Sequence, residues 1–129
     1  MRRKLSLFVG VSLGVAVLAA ALALEERTFG TPTTVVHVVA IKWKPEATDA
    51  EKQKALEGVK RMAAAIPGIK NVWIKAMRVQ PRDYHAALVI EFEDRAAADA
   101  YVDHPAHREW ESYYLPIRAE SRSLQITNE

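Results

Sequence analysis

Cysteine is absent from all 129 residues of the chain, which excludes a disulfide framework, thiolate catalysis and cysteine-ligated zinc or iron–sulfur centres. Glycine is scarce, at five residues. The sequence holds no glycine-rich phosphate loop, no dinucleotide fingerprint and no serine-nucleophile motif. A nucleotide-dependent reaction is therefore not expected, and no cofactor is assigned. No internal repeat occurs, so a solenoid or propeller is excluded.

Long apolar runs are also lacking, with one exception. Arg2, Arg3 and Lys4 precede a charge-free stretch from Leu5 to Leu24, which Glu25, Glu26 and Arg27 close. This is the pattern of an export leader, and Ala21-Leu22-Ala23 supplies the small-x-small site of a signal peptidase. Residues 1–23 are thus expected to be a signal peptide cleaved after Ala23. An uncleaved anchor of the same length would span a bilayer and likewise hold the domain outside the cytoplasm, so the membrane enters only through the leader. Residues 24–33, with Gly30 and Pro32, read as a tether, and residues 34–129 as the folded domain.

Removing the leader also removes the charge excess. Of 18 basic residues, 15 remain against 16 acidic ones, a net of −1. The sequence pI of about 9.0 belongs largely to the leader, and no basic stripe with interleaved aromatics is left to bind nucleic acid.

The chain as a whole is half apolar, with 26% charged and 8% aromatic residues, enough for one hydrophobic core and not two. Val35 to Lys44 is rich in β-branched residues and predicts a first strand buried on both faces. His37, Val39, Ile41 and Trp43 fall on one side, and Val36, Val38 and Ala40 on the other. Pro45 ends it, and Thr48-Asp49-Ala50-Glu51 forms a capping box for a helix to about Ala65 with Leu56, Val59, Ala63 and Ile66 on its apolar stripe. Pro67-Gly68 ends that helix. Strands are expected over residues 69–79 and 84–92, and Asp94 caps an Ala-rich helix to Val102. His104-Pro105 breaks that helix, a second piece runs from Ala106 to Tyr114, and a last strand covers residues 121–127. The order β-α-β-β-α-β is a ferredoxin-like α+β layout, an antiparallel sheet with helices on one face. The uncovered face calls for a second copy of the chain.

The segments Val-Val-His37-Val-Val-Ala-Ile-Lys-Trp-Lys, Ile66-Pro67-Gly68-Ile69, Tyr84-His85-Ala86-Ala87-Leu88-Val89-Ile90-Glu91-Phe92 and Tyr101-Val102-Asp103-His104-Pro105-Ala106-His107 cover almost all of the domain in order. On these segments the chain resembles the stress-responsive A/B barrel (Dabb) family of dimeric α+β barrels, and Tyr-x-x-His-Pro-x-His is the most specific of them. The resemblance implies a homodimer closed through the helix-free sheet faces and a cavity between helices and sheet. It also implies, from a few relatives similar to plant polyketide cyclases, a His and Tyr of this motif acting as the acid–base pair of an aldol ring closure.

The candidate catalytic residues are accordingly His107, Tyr101 and His37, and the candidate ligand-binding residues His37, Tyr101, His104, His107 and Trp110. An imidazole that titrates near neutral pH and a phenol are what proton abstraction beside a carbonyl requires. The plainer reading is that His104 pins the helix break and Tyr101 packs in the core, its hydroxyl bonded to backbone. His37, His104 and His107 supply three nitrogens, yet His-x-x-His across a proline lacks the i, i+4 spacing of helical zinc motifs, and no metal is assigned. His85 reads as a packed or rim residue, and the three tryptophans as core or interface. The expected function is that of an exported dimeric domain binding a small apolar or carbonyl-containing ligand. A cofactor-free cyclase-like lyase is the first alternative and a His-ligated metal enzyme the second. N-terminal sequencing of the mature protein is expected to begin at Leu24. Met1 found on a cytosolic chain would contradict export, and Met1 retained in membranes would identify the anchor instead.

Overall fold

The computed structural model of the protein describes residues 26–129, and the leader expected over residues 1–23 lies outside them. Residues 31–129 form one compact unit. Strand β1 (Val35–Trp43) leads to helix α1 (Asp49–Ala65), then to β2 (Ile69–Trp73) and β3 (Ala86–Phe92). Helix α2 (Arg95–Ala100) continues into a 3-10 turn (Tyr101–Asp103). Helix α3 (Pro105–Tyr114) follows, then a second 3-10 turn (Leu115–Ile117) and β4 (Arg118–Ile126). The strands form one antiparallel sheet in the order β2-β3-β1-β4. This is the expected ferredoxin-like α+β topology.

Local signals position the elements. The Thr48 hydroxyl accepts from the Glu51 amide and the Glu51 carboxylate accepts from the Thr48 amide, a reciprocal cap worth about 1 kcal/mol. The chain leaves α1 through Gly68 at φ 85°, a conformation that costs glycine nothing. A Cβ there would lie 2.5 Å from that of Ala97, so the same residue also lets α2 close onto the turn.

The two faces of the sheet differ as the parity of β1 predicts. Val35, Val39, Ile41 and Trp43 join Leu88, Ile90, Phe92 and the helices in the core. Opposite them, register alignment places Trp73, Val89, Val38 and Leu124 in one row across all four strands. Trp73 and Leu124 are each 52% exposed and Ile126 58%. Val36, Val38 and Ala40 are only half-buried in the single chain, where their apolarity predicted full burial.

Several boundaries differ from the sequence reading. β2 ends at Trp73 rather than residue 79, because the apolar residues beyond it meet no neighbouring strand: Met77 is fully exposed, while Ile74 packs against the core. β3 starts at Ala86 rather than Tyr84, because the Tyr84 amide closes a turn onto the Pro81 carbonyl. β4 starts at Arg118, three residues early, because the 3-10 turn over Leu115–Ile117 brings the chain alongside β1 sooner, where Lys44 N–H meets the Ile117 carbonyl at 2.9 Å. The Ala-rich helix closes at Ala100 and tightens into the 3-10 turn instead of running on to Val102. On α1 the buried stripe is Ala55, Gly58, Val59 and Met62, with Ile66 buried beyond it and Leu56 and Ala63 only at its margin.

Candidate functional site

The site is built on the break between the Tyr101–Asp103 turn and α3. Pro105 occupies the first helical position, where its missing N–H costs nothing, and the imidazole of His104 is the N-cap, its Nδ1 accepting the Ala106 amide at 3.1 Å. That cap leaves the Val102 carbonyl facing back toward α3, where His107 Nδ1 meets it at 3.1 Å. A carbonyl only accepts, so Nδ1 carries the proton and Nε2 is the lone pair that the neutral ring can offer. His107 is 5% exposed, and the Glu111 carboxylate lies 3.8 Å from the same Nδ1.

Around His107 stand the other predicted residues. The Tyr101 ring is 4.6 Å from it and 6.0 Å from His37, centroid to centroid, and Trp110 is 5.9 Å from His107 on the other side. His37, Tyr101, His107 and Trp110 all line one open cavity of about 250 Å³ between α3 and the sheet. Val39, Leu88 and Ile90 form its apolar floor, and Arg118, Ser121 and Ser123 lie along β4. Trp110 is held from behind, its indole N–H donating to the Ala55 carbonyl of α1 at 2.8 Å.

Electrostatics divide the labour among these groups. Burial, with smaller contributions from Glu111 and Tyr114, pushes the Tyr101 phenol up to about 12, so it is a neutral hydrogen-bond donor throughout the physiological range. No hydrogen bond from its hydroxyl to other groups is found among the described residues, unlike the backbone-bonded phenol of the plainer reading. Burial also lowers the pKa of His37, aided by the nearby His107 and partly offset by the Leu124 backbone. No hydrogen bond of normal geometry reaches His37 Nδ1 or the Tyr114 hydroxyl, both closed off from solvent, although the Leu124 backbone lies near the first and Ser121 and Arg118 near the second. Both are orphan polar atoms on residues that line the cavity.

Other predicted residues lie elsewhere. His104, counted among the ligand-binding residues from sequence, does not line the cavity; its cap to Ala106 occupies it in the helix break. With His104 turned to that task, the three-histidine metal set does not assemble, and among the described residues no group of three His, Asp or Glu is arranged to hold a metal ion. His85 Nδ1 accepts the Trp43 amide at 3.0 Å, tying the end of β1 to the residue just before β3, where the β1–β3 ladder stops at Ile41 and Ala86. Trp43 is core and Trp73 lies on the open face. The sequence reading missed Glu111, Arg118, Ser121 and Ser123 as cavity residues. The two serines alternate with Arg122 on β4 and are readable by parity, but Arg118 precedes the strand that the sequence predicts over residues 121–127. A larger groove of about 480 Å³ between α2 and the end of β4, lined by Val35, Arg95 and Ile126 among others, contains none of the predicted residues and neither orphan atom.

Fold and site together define an α+β half-barrel of ferredoxin-like topology with a histidine–tyrosine cavity under its helices. Residues 35–127 match the Stress responsive A/B Barrel Domain, and the chain belongs to this Dabb family. It is 29% identical over 76 residues to the olivetolic acid cyclase of Cannabis sativa, covering 57% of this chain and 75% of that one. Among solved structures it is similar to a dimeric ferredoxin-like protein of unknown function from Thermobifida fusca YX. The TM-score is 0.64 at 21% identity, over 80% of this chain and 99% of that one. It is also similar to SnoaB, a cofactor-independent oxygenase from Streptomyces nogalater, with a TM-score of 0.61 at 14% identity over 76% and 95% of the two chains. At such identities the structural likeness shows the fold alone.

The lowered His37 pKa has a thermodynamic consequence. A histidine that binds protons less readily folded than unfolded makes stability rise with pH, so its contribution is present above the usual imidazole value near 6.5 and is lost as pH falls from there through the folded value. Imidazole titration by NMR is expected to place His37 below 6.5. Denaturant melts should lose stability on acidification through this window in the native protein, with that loss reduced in His37→Gln. A His37 value at or above 6.5 would contradict the assignment.

Proposed function

We propose that this chain is an exported, homodimeric Dabb protein that binds a small apolar or carbonyl-containing ligand in the cavity between α3 and the sheet. The observation that carries this reading is the convergence of His37, Tyr101 and His107 on one solvent-connected cavity. A carbonyl oxygen in the cavity would accept from the Tyr101 hydroxyl, while the apolar floor receives the hydrocarbon part of the ligand. Export follows from the leader pattern of residues 1–23. The homodimer is supported by the apolar row on the open face and by a structural neighbour described as dimeric.

The same convergence favours a second reading, cofactor-free acid–base chemistry, which the name of the cyclase relative also fits. In it, His107 Nε2 takes a proton from the carbon beside a carbonyl, and the hydrogen bond from neutral Tyr101 stabilises the enolate oxygen. The enolate carbon then attacks a second carbonyl of the same molecule. The new alkoxide takes up the proton held on His107, so the ring closes with no net change in protons. Glu111 places an anion beside the ring while it carries that proton.

Light scattering at micromolar concentration should give twice the mass of the mature chain, and Leu124→Glu should weaken the dimer by at least about tenfold, because it puts a charge into the apolar row. A monomeric native protein would sink the dimer. In the cavity, NMR titration with the flat ketone 2-acetonaphthone should shift resonances of His37, Tyr101, His107 and Trp110, and shifts confined to other surfaces would overturn the binding reading. For the second reading, His107→Ala should lower ring closure of a poly-β-keto substrate by about 10²–10⁴-fold and Tyr101→Phe by less, with both variants folded. A folded His107→Ala with undiminished turnover would remove the acid–base pair.

A further inference from the structure

We infer that the cavity has an anion site at the end away from His107, where Arg118, the Tyr114 hydroxyl, Ser121 and Ser123 receive a carboxylate, or an equally acidic oxygen, of a flat carbonyl-bearing ligand. The inference rests on the cavity reading above and adds to it the charge and the orientation of what is bound.

Arg118 is half-buried at the start of β4 and lines the cavity. Lys42, Arg108 and Arg122 each lie within 4 Å of a carboxylate. Among the described residues no carboxylate lies within that distance of Arg118. Its guanidinium sits over the Tyr114 ring at 5.6 Å and donates from Nη1 to Ser121 Oγ at 3.3 Å. A guanidinium is always charged and offers five donors, so one serine leaves most of its capacity unused. Beside it the Tyr114 hydroxyl, on a side chain that is 3% exposed, makes no hydrogen bond of normal geometry, its polar neighbours being Ser121 and Arg118 themselves. Two unfilled donor groups at one place describe a site for an acceptor that bears charge.

The other end has the opposite character. Glu111 stands beside His107, and an anionic group placed there would meet a carboxylate. Between the ends runs a stack of rings: Trp110 lies nearly parallel to Tyr114, with centroids 4.2 Å apart and planes at 18°. Together with Leu88 and Ile90 these rings give a planar, apolar ligand a wall and a floor along which to lie. An acidic oxygen at Arg118 and a carbonyl at Tyr101 is the one orientation that both charges favour.

The test compares two probes of the same shape, 2-naphthoate and 2-acetonaphthone, titrated into the full mature protein by NMR at neutral pH. The carboxylate is expected to bind roughly tenfold more tightly than the ketone. Arg118→Gln should abolish that preference while leaving the affinity for the ketone unchanged, which also shows that the variant is folded. Tyr114→Phe gives a second route and should weaken naphthoate severalfold and the ketone not at all. If neither probe binds, the cavity reading falls and this inference with it. If the ketone binds as tightly as the carboxylate, or if both variants weaken the two probes alike, the anion site is wrong and the cavity reading stands.

Discussion

The hydrogen bond from the Ala106 amide to the imidazole of His104 fixes the direction in which α3 leaves the preceding turn, and most of the site depends on that direction. Upstream of the break, Tyr101 belongs to a 3-10 turn that its own residues cannot extend, because Pro105 withholds the next amide. Downstream, α3 begins with a new axis. The turn points the Val102 carbonyl at His107, and that contact selects the imidazole tautomer. One capping histidine therefore sets both the spacing of Tyr101 from His107 and the nitrogen that His107 presents. His104 does not line the cavity, so the two histidines of the Tyr-x-x-His-Pro-x-His motif have different tasks, one capping α3 and the other facing the cavity.

The sheet carries a second constraint. With period-2 alternation, every residue that β1 gives to the cavity side is answered by one on the open side. His37 can line the cavity only if Val36 and Val38 face away from it, and the register partners of Val38, Val89 and Leu124, then lie on that side too. The apolar row is thus the other half of the pattern that builds the site. At one end of this face Lys42 bridges Asp83 and Glu120, and Tyr84 donates to Glu120. Charge bounds the apolar row and limits the area left for a partner surface.

Much of this was legible in the residues. The period of β1 gave the two faces, and Thr48, Glu51, Pro67 and Gly68 bounded α1, because caps and breakers act through neighbours in sequence. The convergence of His37, Tyr101 and His107 was readable only through the resemblance, since nothing local brings residue 37 to residue 107. What stayed hidden depends on where the chain goes after a local pattern ends. The apolar alternation through Met77 and Val79 looks like strand, yet no neighbouring strand faces it. Arg118 precedes the strand that the sequence predicts over residues 121–127, because a 3-10 turn, whose geometry sequence periodicity does not report, starts β4 early. Glu111 was visible one residue beyond Trp110 but gained meaning only from its distance to His107.

The width of the cavity is set from outside it. Tyr113, on the face of α3 turned away from the sheet, packs against α1 so closely that a Cβ on Gly58 would lie 2.2 Å from its hydroxyl. Glycine allows that approach without turning the Tyr113 ring aside. Lys54 covers the same ring at 4.7 Å and Arg61 reaches its hydroxyl at 3.5 Å, while one residue-pair away Trp110 is tied to the Ala55 carbonyl. These contacts hold α3 by its back, so the residues of its front face, His107, Trp110 and Tyr114, stand at a fixed height above β1 and β4. Helices in contact normally pack at about 8–10 Å between axes, the lower end being reached with small residues. A side chain at position 58 would displace the Tyr113 ring and, with it, the Lys54 and Arg61 contacts that hold α3 against α1. Gly58 touches no ligand, yet the spacing on which His107 and Tyr101 depend begins there.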